Sequence, residues 1–92
     1  MKQSVPPIPF VGIRSVKDPR GSRIANVVAG SGAAAGGLKV GDVLLSGDGM
    51  PIRGPDDVLE VLSTREVGDV ITFEVLRGKQ TLRLKVTLGK RQ

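Results

Sequence analysis

The stretch GSGAAAGGLKVGD, Gly30 to Asp42, decides the fold. Ser31 offers a hydroxyl to cap a helix, three alanines follow as strong helix formers, and Gly36-Gly37 is a stop, so the spacing predicts a helix of only one or two turns. Gly41-Asp42 then turns the chain into Val43 to Leu45, a continuous apolar run that reads as a strand buried on both faces. A second turn through Gly47, Asp48 and Gly49 leads to a short strand ending at Ile52.

Working outward toward the N-terminus, residues 1–9, MKQSVPPIP, carry three prolines within four positions and read as an extended lead-in or linker. Phe10 to Val16, FVGIRSV, is strand-like with one glycine inside it, a sign of a bulge or a close backbone approach. The polar segment Lys17 to Ser22, KDPRGS, is a turn, and Ile24 to Val28 a second short strand pairing with the first as a hairpin.

Toward the C-terminus, Gly54-Pro55-Asp56-Asp57 has the features of a helix start, with proline near the first position and acids where the dipole favours them. Val58, Leu59, Val61 and Leu62 follow and span an arc of about 160°, wider than the roughly 100° stripe that seats one surface helix. Part of that arc therefore faces something other than the core, with Val58 and Val61 assigned to core packing and Leu59 and Leu62 to both roles. The helix ends between Ser63 and Glu66. Ile71, Phe73 and Val75 alternate with polar residues, RGKQ from Arg77 to Gln80 is a hairpin turn, and Leu82, Leu84, Val86 and Leu88 alternate with Arg83, Lys85 and Thr87. The expected fold is α+β: a small, mainly antiparallel, partly closed sheet or barrel of five to six strands capped by two helices. Residues 10–89 form one domain, and 90–92 are a short tail.

Composition narrows the chemistry. The 92 residues contain no Cys and no His, which removes disulfides, thiolate and imidazole catalysis and the usual zinc sites. No nucleophile elbow marks a Ser–Lys pair, and no Gly-Lys-Ser/Thr marks a phosphate cradle, so an enzyme, a metal site and a cofactor are all unexpected. Fourteen basic against nine acidic residues give a net charge of +5, concentrated in Arg77, Lys79, Arg83, Lys85, Lys90 and Arg91. With only Phe10 and Phe73 as aromatics there is no stacking platform, so this reads as a solvated strand face and not as a nucleic-acid site. No run approaches the roughly 20 apolar residues of a membrane helix, and no signal-peptide pattern is present.

What remains is recognition through the backbone. An extended peptide adds as a strand to an open sheet edge, and a turn of free N–H groups holds its terminal carboxylate. Phe10-Val11-Gly12-Ile13 and the helix beginning at Pro55 supply an edge, an anion nest and a side-chain pocket.

At these residues the sequence resembles a PDZ domain of the bacterial type attached to HtrA-like, tail-specific and intramembrane proteases and some aminopeptidases. The Gly30–Asp42 block is similar to the family's Gly-Ser-Pro-Ala-Ala-x-Ala-Gly-Leu-x-x-Gly-Asp run, PFVGI to its carboxylate-binding loop, and VGDVITFEVLRGKQTLRLKVTL to its closing hairpin. Gly32 stands where that run has proline, loosening the helix start, and Gly47 where an aliphatic residue is frequent. The resemblance implies that the N–H groups of Val11, Gly12 and Ile13 hold a ligand carboxylate, and that Ile13 and Ser15 lie on the pairing strand. Phe10 or Val11, with Ile13, Leu59 and Leu62, would line the pocket for the last side chain. Pro55 and Asp56 occupy the place where many animal PDZ domains have a histidine.

It further implies a non-catalytic module that captures apolar, carboxylate-ending peptides and recruits substrate to, or regulates, an attached protease. A domain that docks within a larger protease without binding free C-termini is the alternative, favoured by the stiff lead-in at Pro6, Pro7 and Pro9. An extracytoplasmic location, periplasm or cell envelope, is implied by the resemblance alone.

Overall fold

The computed structural model describes residues 9–90. Its elements run β1 (Ile13–Asp18), β2 (Gly21–Val27), α1 (Gly32–Ala35), β3 (Val43–Gly47), β4 (Met50–Pro51), α2 (Pro55–Ser63), β5 (Val70–Arg77) and β6 (Gln80–Thr87). The expected lead-in, apart from Pro9, and the last two residues of the tail lie outside the described residues.

All pairings are antiparallel, in the order β1-β2-β3-β5-β6, with β4 paired to β3. The sheet stays open. Among the described residues closure is limited to one bridge, where Phe10 N–H donates to Gly89 O (2.8 Å) and Gly89 N–H donates to Phe10 O (2.9 Å). The first hairpin is tighter than its polar sequence suggests: β1 runs on to Asp18 and β2 begins at Gly21, leaving only Pro19-Arg20 as the loop. Asp18 stabilises this short turn by accepting from Arg20 N (3.0 Å) and Arg20 Nε (3.0 Å).

The core is aliphatic around one ring. Phe73, Ile71 and Val75 of β5 are fully buried with Ile24, Leu44 and Val86, and α2 adds Val58, Val61 and Leu62. Gly47 leaves no deficit in this core. A Cβ there would lie 3.3 Å from both Phe73 and Val61, so the ring of Phe73 already fills the space an aliphatic side chain would occupy.

Ser31 caps α1, its Oγ accepting from Ala34 N at 3.2 Å. Gly32 does not loosen that start: a Cβ at 32 would collide with the carbonyl oxygen of Thr87, so glycine is what lets the helix seat directly on β6. Gly36 repeats the contact one turn on, 2.6 Å from Lys85 O to its virtual Cβ.

Candidate peptide-binding groove

The eight residues singled out from the sequence line one groove of about 810 Å³. It runs between β1, an edge strand, and α2, with the loop Phe10–Gly12 at one end. Phe10, Val11, Gly12, Ile13 and Ser15 form one wall and Pro55, Leu59 and Leu62 the other, joined there by Val58.

The loop is held by its carbonyls, which leaves its N–H groups pointing elsewhere. Val28 N donates to Gly12 O (2.8 Å) and Ala33 N donates to Val11 O (3.0 Å), so β2 and the first turn of α1 clamp it from behind. Among the described residues the N–H groups of Val11 and Gly12 donate to no protein acceptor. Gly12 has φ +93°, and a Cβ there would strike Ser31, so both the backbone turn and the close approach require glycine.

Ile13 opposes Val27, and the bond from Val28 N to Gly12 O makes theirs a non-hydrogen-bonded antiparallel pair. The N–H and C=O of Ile13 therefore face away from β2, toward the open edge. The period of two along β1 turns the backbone groups of Ser15 the same way. The Ser15 side chain points inward, where its Oγ accepts from the hydroxyl of the fully buried Ser22 at 2.7 Å and so satisfies a polar group in the core.

On α2 the two leucines differ sharply. Leu62 is 5% exposed and belongs to the core, whereas Leu59 is 59% exposed and stands on the rim. Val58, assigned to the core from sequence, also lines the groove. Its spacing of four from Leu62 puts both on one helix face, a signal that was available in the sequence. Arg14, Asn26, Val28, Ser31 and Lys90 are among the remaining lining residues and were not anticipated, because loops and pairing register brought them there.

A buried carboxylate whose pKa is shifted, Asp42, lies away from the groove. Burial opposes ionisation of Asp42, which is 1% exposed, yet hydrogen bonds from Arg77 Nε and Nη2 (both 2.8 Å) and from Lys39 N (3.0 Å) outweigh it and hold its pKa below the usual carboxylate range. The same bonds raise the Arg77 guanidinium, which also donates to Gly37 O at 2.8 Å. This clamp ties the end of α1 to β5. Arg77 is thus engaged internally, and the basic C-terminal strand face is one cation poorer than its sequence suggests. No group of three metal-ligating side chains occurs among the described residues.

Residues 9–88 match the PDZ domain family. The chain is 38% identical over 71 residues to a probable periplasmic serine endoprotease, DegP-like, of Pseudomonas savastanoi pv. phaseolicola, covering 77% of this chain and 15% of that protein. It is 33% identical over 69 residues to the periplasmic pH-dependent serine endoprotease DegQ of Escherichia coli (75% and 15%). Mouse serine protease HTRA4 is 37% identical over 87 residues (95% and 16%). The chain thus spans about 15% of the length of these curated relatives. Among solved structures, the HtrA-type protease AlgW S227A variant with a decapeptide superposes with TM-score 0.84 at 25% identity, covering 91% of this chain and 29% of that one. The HtrA3 PDZ domain bound to the phage-derived ligand FGRWV has the same fold, with TM-score 0.77 at 23% identity over 87% and 84%. An open-edged antiparallel sheet with two helices, a glycine loop at the end of an apolar groove and these relatives have one reading: the chain belongs to the PDZ domain family.

Proposed function

We propose that this domain captures the C-terminal end of an extended, apolar peptide by strand addition to β1. The observation that carries this reading is the pairing of unused backbone donors at Val11 and Gly12 with the outward-facing backbone of Ile13, at the head of an apolar groove. The peptide's terminal carboxylate accepts from the N–H groups of Val11, Gly12 and Ile13, and its last side chain enters between Ile13, Val58, Leu59 and Leu62. Lys90, at the same end, adds favourable charge. Ser15 and Pro55 flank the third residue from the end.

In the whole protein the domain recruits substrate to, or regulates, an attached serine protease outside the cytoplasm, in keeping with the periplasmic endoproteases it resembles. An affinity of about micromolar, near 8 kcal/mol, is the expected scale. The test is an amide-resolved NMR titration with short peptides ending in free apolar carboxylates and with their amidated twins. Shifts centred on Val11, Gly12, Ile13 and α2 that weaken at least tenfold on amidation support the reading. Equal binding of acid and amide would remove the carboxylate from it.

A further inference from the structure

β1 carries two cations, Arg14 and Lys17, that form no ion pair among the described residues, whereas the other two arginines of that hairpin, Arg20 and Arg23, reach Asp18 at 3.0 and 3.7 Å. They lie on opposite faces of the strand. Arg14 is exposed, is paired across β2 with Asn26, and lines the groove beside it. Lys17 shares its face with Ile13 and Ser15 and runs its stem against Gly54 at the start of α2, with Lys17 Cγ 3.7 Å from the position a Cβ would take. Lys17 therefore stands where β1 approaches the start of α2, just beyond the residues that line the groove.

This placement fixes which ligand residue each cation meets, provided the strand-addition reading above holds, on which this inference rests. In an antiparallel pair, directly opposed side chains lie on the same face about 5 Å apart. With the last ligand residue opposite Ile13, the penultimate one opposes Arg14, the third from last opposes Ser15, and the fifth from last opposes Lys17. The exposed Asp56 follows groove-lining Pro55 at the start of α2, beside the third position, and has the opposite sign. We propose that, behind an apolar last residue, the groove selects a patterned charge on the ligand: carboxylate side chains at the penultimate and fifth-from-last places, and none at the third from last.

Each pair is solvent-exposed, so the expected preference is about two- to fivefold per position and is screened by salt. The experiment measures Kd by fluorescence anisotropy for six-residue peptides with a fixed apolar last residue and a free carboxylate, carrying Glu, Gln or Lys in the penultimate place. A second set moves Glu to the third-from-last and fifth-from-last places. The proteins are wild type, Arg14→Glu and Lys17→Glu, each checked for an unchanged fold by its amide spectrum. The expected result is tightest binding for penultimate Glu in the wild type, a reversed order favouring Lys in Arg14→Glu, and loss of only the fifth-place preference in Lys17→Glu. A third-place Glu binds more weakly than Gln. Equal affinities across Glu, Gln and Lys, with amidated peptides still weaker, would overturn the charge pattern alone. Equal binding of acid and amidated peptides would overturn the carboxylate-anchored register and this inference with it.

Discussion

The two edges of the sheet meet the same physical problem and resolve it differently. An edge strand exposes unpaired N–H and C=O groups that invite association. At β6 the edge is blocked from within: α1 seats on it through Gly32 and Gly36, at the carbonyls of Thr87 and Lys85, and the outward side chains Thr81, Arg83 and Lys85 are polar or charged. At β1 the neighbouring helix presents Val58, Leu59 and Leu62 instead of glycines, and these keep the backbones apart and leave a groove. Just before α2, Gly54 comes close to β1, against the Lys17 stem. The difference between a sealed edge and a receptive one is thus the size of the side chains on the facing helix.

The largest expected effect comes from forcing the sealed edge open. Gly32→Val drives a branched side chain into the Thr87 carbonyl and should cost about 2–3 kcal/mol in urea denaturation. A loss under about 0.5 kcal/mol would show that α1 is not what seals β6. Next is the clamp that holds α1 in place. Arg77→Ala strands the buried Asp42 carboxylate; because the guanidinium is about one-third exposed (33%), water partly takes its place and the loss stays below that of a fully buried pair. The expected reading is a melting temperature lowered by about 5 to 10 °C in a scan at neutral pH. Peptide binding by the folded fraction should be unchanged, since neither residue lines the groove.

On the receptive edge the expectation inverts, with binding lost and stability kept. Leu59→Asp, on a side chain already 59% exposed, should weaken an apolar peptide about tenfold while shifting stability by less than about 0.5 kcal/mol. Leu62→Asp, equally attractive from the sequence, is a poor probe: its site is 5% exposed, and a buried unpaired charge would unfold the domain. A Leu59→Asp protein that binds as well as wild type would move the ligand off α2.

The sequence carried what depends on local spacing. The short capped helix, the period of two in β5 and β6 and the glycine inside FVGI were all legible, and together they located both groove walls. The parts that were not legible depend on contacts between distant segments. That Gly32 is required by Thr87 rather than tolerated, that Gly47 makes room for Phe73, and that Asp42 holds Arg77 are facts of tertiary approach, invisible to periodicity. The hairpin at Pro19-Arg20 ran against its polar composition because Asp18 bonds Arg20 within the turn. Likewise, an arc of about 160° on α2 signalled surplus apolar surface but not which leucine stands on the rim.

Acid titration separates the two edges by a smaller effect. Asp42, on the sealed side, and Asp18, at the hairpin end of β1, both have carboxyl groups held below the ordinary value of 3.8, Asp18 chiefly by the side-chain hydrogen bond from Arg20. A carboxyl group with a depressed folded-state pKa contributes stability that is present above its unfolded value and is lost as pH falls through the folded one. Both therefore predict a fall in stability below about pH 3.8 and none above it. Their shares should differ, because the Asp42 and Arg77 side chains are 2% and 33% exposed while those of Asp18 and Arg20 are 11% and 54% exposed and more screened. Asp42→Asn should flatten most of the acid slope of the unfolding free energy, and Asp18→Asn little of it. An Asp42→Asn protein that keeps the wild-type slope would mean that acid sensitivity resides in the β1 hairpin, and that the receptive edge is also the fragile one.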